Sequence, residues 1–154
     1  MKTQTLDKYL ATHEFFQGFD QPTLEFIAGC AQTAHFEPGE YLAREGQPAD
    51  RFYVIRLGTV ALEVFAPERG ALILDTLDEH DVLGVSWIFP PYRWQFDARA
   101  VDLVRAIALD GACLRAKCDE DPHLGYEFMK RFAGIMARRM QSARLRLLDL
   151  YGNE

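Results

Sequence analysis

"PGEYLAREGQPADRFYVIRLGTVAL", residues 38–62, is the stretch on which the fold turns. Residues 51–57 are rich in β-branched and aromatic side chains, and Gly58 stops that run before a second one of the same kind at 60–65. Such compositions suit pleated, half-buried strands. Pro38-Gly39, Glu45-Gly46, Gly58 and then Gly70 fall where tight turns are needed, since such turns use backbone angles that glycine adopts without strain. "ALILDTL" (71–77) and "DLVRAIAL" (102–109) add further strands. The spacing predicts a small sandwich or barrel over residues 35–109.

Helical patterns flank this region. Over residues 1–34, Leu6, Tyr9 and Leu10, then Leu24, Phe26, Ile27 and Cys30, recur at helical spacing, and "HEFFQGFD" (13–20) interrupts them. Over residues 110–154, "DGACLRAKCDEDP" gives a short helix ended by Pro122, and a long one follows over 124–150 with no internal proline. In the long helix Met129, Ala133, Met136, Met140, Ala143, Leu147 and Leu150 are spaced alternately four and three apart, the pattern of a coiled-coil seam. Phe128, Phe132 and Ile135 lie on an adjacent face, suited to packing on the β domain. One apolar face would serve the core and the other a second copy, so a homodimer is expected; a single wide stripe packed within one chain is the alternative.

A chain of 154 residues is expected to form one domain, 1–154, and to bury roughly 70% of its unfolded surface. Seventeen basic residues against 23 acidic ones give a net charge of −6, which opposes binding to nucleic acid through phosphate neutralisation. The N-terminus lacks the apolar core of a secretory signal, and no apolar run approaches the ~18 residues of a membrane helix. Cys30, Cys113 and Cys118 are odd in number and form no CxxC pair, which reads as reduced thiols and a cytoplasmic protein.

Residues 38–62 resemble the opening β-roll of the cyclic-nucleotide-binding domain family in the Pro-Gly-Glu turn, Glu45-Gly46, Ala49-Asp50 and the strand before Gly58. "HEFFQGFD…LEFIAGCAQTAHF" is similar to that family's N-terminal helices, and "MARRMQSAR" (136–144) to the long helix of bacterial catabolite-activator and FNR-type regulators. The resemblance implies a mainly β fold, an eight-stranded double-sheet roll of jelly-roll type with flanking helices. It also implies a ligand-binding regulatory or sensory module. In those regulators a DNA-binding helix-turn-helix follows the long helix; here the sequence stops at Glu154, so no such domain is expected.

In the family the loop corresponding to "GVSWIFPPYRWQFDARA" (84–100) is the phosphate-binding cassette, typically Gly-Glu-Leu-Ala-Leu and later Pro-Arg-x-Ala. Its glycine permits the turn, the following N–H groups attract phosphate, the glutamate accepts from the ribose hydroxyl and the arginine pairs with the phosphate. Aligned without gaps, Gly84 matches the glycine, while Val85 stands for the glutamate and Trp94 for the arginine. Each lost charge-assisted bond is worth ~1.5–3 kcal/mol, so the two together would weaken a nucleotide by about two to four decades. If residues 93–100 form a strand, Arg93, Gln95, Asp97 and Arg99 share one face and Trp94, Phe96, Ala98 and Ala100 the other, which turns Arg93 away from the pocket. A one-residue slip or a bulge at Pro90-Pro91 would reverse this. Trp87 and Trp94 either line a pocket for an aromatic ligand or fill the vacated cavity. The purine contacts implied by the resemblance fall at Ala143, which offers no hydrogen bond, and Arg144.

The candidate ligand residues are therefore Gly84, Val85, Ser86, Arg93, Trp94 and Gln95, with Arg144 from the long helix. The ligand would be a cyclic nucleotide or another small anionic or aromatic molecule, with no cofactor and no metal assigned. His13, His35, His80 and His123 lie far apart in sequence, and no GxSxG, P-loop or HExxH spacing occurs, so an enzyme is not expected. Lys130, Arg131, Arg138, Arg139, Arg144 and Arg146 form either a surface for an acidic partner or a solvated face. The alternatives to a sensor are a degenerate scaffold that binds a protein partner, and a cupin-like enzyme.

Overall fold

The computed structural model describes residues 2–152; Met1 and Asn153–Glu154, the ends of the expected domain, lie outside the described residues. Two helices open the chain, α1 (Lys2–Thr12) and α2 (Gln21–Gly29), with a 3₁₀ turn at Glu14–Phe16 between them. Eight strands follow: β1 (Ala31–Phe36), β2 (Tyr41–Ala43), β3 (Arg51–Leu57), β4 (Val60–Ala66), β5 (Gly70–Leu77), β6 (Val82–Leu83), β7 (Asp97–Ala100) and β8 (Val104–Asp110). Two helices end the chain, α3 (Gly111–Glu120) and α4 (Pro122–Gly152). The strands form two four-stranded antiparallel sheets, ordered β1-β8-β3-β6 and β2-β7-β4-β5. This is the eight-stranded double-sheet roll that the family resemblance implied, and it narrows the sandwich or barrel predicted from the turn spacing.

Local chemistry sets the boundaries. Asp20 caps α2 by accepting from the Thr23 N–H at 2.9 Å, with Pro22 in the first turn. Pro122 begins α4 as well as ending α3, because its missing N–H would have no intrahelical partner there. Gly58 is irreplaceable on two counts: its φ is +95°, and a Cβ there would stand 2.2 Å from the Leu103 carbonyl oxygen. The other expected turn glycines, Gly39, Gly46 and Gly70, also have positive φ. β1 begins at Ala31, inside the segment read as helical.

Two apolar layers result. Between the sheets lie Tyr53, Ile55, Leu62, Leu77, Leu83, Trp94 and small residues such as Ala98, Ala100 and Ala106. On the outer face of the first sheet, Phe52, Val54, Ile107 and Leu109 meet α1, α2 and the Leu124, Phe128 and Phe132 face of α4. The strand period of two assigns alternate residues of β3 to these two layers.

The cysteine reading needs correction. Cys30 and Cys113 form a disulfide that spans 83 residues, with their Cα atoms 6.3 Å apart. Sheet register makes the pair: Ala31 lies opposite Leu109, the Asp110 N–H donates to the Cys30 carbonyl at 2.8 Å, and α3 starts at the next residue. Spacing along the chain could not show this. The inference from reduced thiols to a cytoplasmic location loses its support with it. Cys118 alone is free, and burial pushes its thiol up to about 11, with Asp119 and Asp121 adding to the shift. Among the described residues no helix is long and apolar enough to cross a membrane.

Candidate functional site

The loop from β6 to β7 is held at both ends. At its start, Val82 and Leu83 are buried on β6, and Gly84 leaves the strand with φ +109°. A Cβ on Gly84 would stand 2.8 Å from Cη2 of Trp94, so glycine is required by the ring as well as by the backbone. Residues 85–88 form one turn, closed by the Ile88 N–H on the Val85 carbonyl at 3.2 Å, rather than a helix. At its end, three main-chain bonds fix the register of 92–94 against 46–49. The Ala49 N–H donates to Tyr92 O at 2.7 Å, the Trp94 N–H to Gln47 O at 3.0 Å, and the Gly46 N–H to Trp94 O at 2.9 Å.

That register decides where the candidate side chains go. Trp94 turns inward and is 5% exposed, packed within the roll. Arg93 turns outward, and its Nη1 donates to the Gly46 carbonyl at 2.9 Å. Gln95 is also exposed and donates to the Arg93 carbonyl. The alternation expected for residues 93–100 therefore holds in side-chain direction, although the regular strand covers only Asp97–Ala100, with a single bridge at Arg93. Asp97 is engaged elsewhere, by the Glu45 N–H at 2.8 Å and by Arg44 at 3.5 Å.

On the other side of Gly84 the turn points into the helical layer. Val85 is half-buried there and Ser86 is buried. Trp87 is fully buried, stacks on Phe52 with centroids 5.0 Å apart, and meets Phe128 and Phe132 of α4 edge-on at 5.8 and 5.7 Å. Arg115 of α3 donates to the Trp87 carbonyl and lies 4.2 Å over the Tyr92 ring. Trp87 and Trp94 thus diverge from Gly84, one toward α4 and one into the roll.

The basic residues of α4 divide in use. Arg131 donates to the Phe15 carbonyl at 2.5 Å, Arg139 to the Val82 carbonyl, and Arg146 to the Leu74 carbonyl and, at 3.1 Å, to Asp75. Burial draws the Arg139 guanidinium below its ordinary range. Arg138 and Arg144 are exposed, Arg144 well away from the loop in sequence and engaged by nothing among the described residues. A cleft of about 1020 Å³ opens between α4, the 3₁₀ turn, the end of β5 and the loop before β6, with Arg139 and Val82 in its wall. His13 and His80, 67 residues apart in sequence, meet there with centroids 6.0 Å apart. His13 Nδ1 accepts from the Phe15 N–H at 3.1 Å, so its proton is on Nε2, which donates to the His80 carbonyl at 2.8 Å. Among the described residues, no three His, Cys, Asp or Glu side chains gather as metal ligands would.

The seam residues on α4 lie apart from this site. Met129, Met136, Met140, Leu147 and Leu150 are 48, 44, 72, 54 and 65% exposed, and Ala133 and Ala143 are exposed beside them, while Leu124, Phe128 and Phe132 are buried. Sequence reasoning had no signal for Arg115, for the arginine–carbonyl contacts of α4 or for the His13–His80 contact, since each joins segments that only the tertiary fold brings together.

A double-sheet roll with a glycine turn before its seventh strand and a long helix behind that turn defines a class of regulatory β-roll domains. Residues 33–121 match the cyclic nucleotide-binding domain, and the chain belongs to that family. It is 28% identical over 145 residues to a CRP-like cAMP-activated global transcriptional regulator of Mycobacterium tuberculosis, covering 94% of this chain and 63% of that protein. The chain therefore spans less than two thirds of the length of that relative. Among solved structures, a Geobacter metallireducens protein assigned to cyclic nucleotide binding is similar with a TM-score of 0.79 and 25% identity, over 87% of this chain and 97% of that one. The sensor domain of the transcriptional regulator DNR from Pseudomonas aeruginosa shares the fold at a TM-score of 0.73 and 17% identity, over 90% of this chain and 93% of that one.

Proposed function

We propose that this domain is a regulatory module whose cassette is filled by its own side chains, and which passes the state of that cassette to α4, the helix on which it dimerises. The observation that carries this is Trp94, buried in the roll with its ring against Gly84. The ring stands where the family's arginine is expected, Val85 cannot accept a hydrogen bond, and Arg93 is held outside by Gly46. Trp87 supplies the coupling, because any movement of the turn shifts a ring packed on Phe128 and Phe132. The exposed heptad face of α4 supplies the dimer surface, and a change in helix position would be read there as a population shift.

Thermal unfolding with cAMP, cGMP and cyclic dinucleotides tests the filled cassette. A ligand at a hundredfold excess over its Kd adds ~2.7 kcal/mol, roughly 5–11 °C for a domain of this size. We expect no shift at millimolar concentrations; a shift of several degrees overturns the proposal.

The cleft beside α4 favours a second reading, in which a small anionic or aromatic ligand is sensed outside the roll. Its occupant would touch Arg139, whose partner Val82 lies two residues before Gly84. Citrate and indole-3-carboxylate are suitable probes, and this reading requires that one of them raise the melting temperature of the wild type and not of Arg139→Met.

A further inference from the structure

The outer face of the sheet β1-β8-β3-β6 is apolar where helices cover it and basic where they end. Phe52, Val54, Ile107 and Leu109 lie beneath the helical layer. Beyond its edge the same face carries Arg56 on β3, Arg105 on β8, and Thr33 and His35 on β1, all exposed. Register places His35 opposite Arg105 and Arg105 opposite Leu57, so one row crosses three strands. A register shift between Ile55 and Leu57 makes Arg56 the extra residue of a β-bulge, and Arg56 and Leu57 are both exposed as a result. The Arg56 guanidinium is steadied 4.6 Å over the Tyr9 ring.

These side chains line a trough of about 690 Å³ with no carboxylate in its walls. Among the described residues neither Arg56 nor Arg105 makes an ion pair, and Glu37, two residues past His35, pairs with His35 at 3.2 Å. The chain as a whole has 23 acidic residues against 17 basic ones, so a carboxylate-free basic row is not its average surface. Basic groups set opposite one another across strands also repel, and a bulge at such a place re-aims a side chain toward a site. Exposed leucines flank the row: Leu57 is 43% exposed, and Leu103, whose carbonyl abuts Gly58, is 36% exposed.

We propose that this row is a docking face for a protein partner and takes an extended segment in which acidic side chains are flanked by apolar ones. The guanidiniums of Arg56 and Arg105 donate to carboxylates, for which their planar fork is suited, and Leu57 and Leu103 receive the apolar neighbours. An open trough across a pleated face fits an extended chain better than a small molecule, which needs enclosing walls. The proposal stands independently of what the cassette holds.

The test is fluorescence anisotropy of a labelled synthetic peptide of alternating glutamate and leucine, titrated with the whole chain. Binding is expected at low salt and should weaken as salt screens it. Arg105→Gln should weaken it by roughly tenfold or more, Arg105→Lys by less, and the double variant Arg56→Gln/Arg105→Gln should abolish it. Arg69→Gln, a basic residue outside the row, should leave it unchanged. No binding by the wild type, or equal binding by the double variant, overturns the proposal. Displacement of the peptide by millimolar sodium phosphate, itself dependent on Arg105, assigns the row to a free oxyanion and overturns it equally.

Discussion

Neighbouring residues Trp94 and Arg93 offer the sharpest trial of the cassette geometry, because the structure gives them opposite weights. Trp94 is 5% exposed and packs inside the roll beside Gly84. Truncation to alanine removes most of a side chain that buries on the order of 200 Å². At ~25 cal/mol per Å², with the cavity left behind, Trp94→Ala should cost about 3–5 kcal/mol. For a domain near this size that is a fall in Tm of roughly 6–20 °C. Arg93→Ala loses one exposed bond to the Gly46 carbonyl and should cost no more than about 1 kcal/mol. Both variants can be measured by urea unfolding followed by far-ultraviolet circular dichroism, which does not depend on the lost indole. Equal losses at the two positions, or a loss under about 1 kcal/mol at Trp94, would refute the inward ring. So would a Trp94→Ala protein that is unchanged in stability and newly stabilised by cAMP, because the ring would then have been a lid and not a filling.

Four further outcomes follow from other parts of the molecule. Met140→Glu places a charge in the middle of the proposed seam, where Met140 is 72% exposed in one chain, and should convert a dimer to monomer in sedimentation; a monomeric wild type ends the dimer proposal. Cys113→Ser opens a crosslink between residues 83 apart, which the chain-entropy model values at about 4–5 kcal/mol, and an unchanged urea midpoint would show the bond to be absent. Burial lowers the His13 value below its ordinary 6.5, so in the window between the two the unfolded chain binds a proton that the native chain refuses. Stability should therefore fall as pH drops through 6.5, and His13→Gln should flatten that slope in unfolding measured from pH 8 to 5. Gly58→Ala must fit a Cβ 2.2 Å from the Leu103 oxygen at positive φ and should cost at least about 2 kcal/mol by thermal melting.

Much of the fold was legible because its signals are local. Strand composition at residues 51–57 and 60–65, turn glycines with positive φ, and the absence of proline from α4 each act within a few residues. The direction of Trp94 and Arg93 was legible too, since a period of two needs only an extended backbone, not a full strand. What anchors that period was not: the bonds from Tyr92 and Trp94 to residues 46–49 cross about half the roll in sequence. The disulfide, the Arg115 contact with Trp87 and the pairing of His13 with His80 share that character. The six basic residues of α4 looked like one surface property in sequence. Three of them instead spend their guanidiniums on carbonyls of the 3₁₀ turn, β6 and β5, which a helical wheel cannot distinguish from solvated charge.

Those three contacts bear on how the domain can act. A helix held on a β-roll only by apolar contact can slide, since such contacts are non-directional. Arg139 on the Val82 carbonyl ties α4 to the strand that enters the cassette, and Trp87 ties it to the turn that follows Gly84. The two ties bracket Gly84 from both sides, which is the linkage that the proposed coupling of helix and glycine turn needs. In a domain with an open pocket that linkage would transmit a ligand. On the proposed function, with Trp94 in the roll it would transmit whatever displaces Trp94, and the energy needed to do so is set by the few kcal/mol with which that ring is held. A partner or ligand that shifts α4 must supply that much differential binding energy, which one well-formed surface on the exposed heptad face could provide.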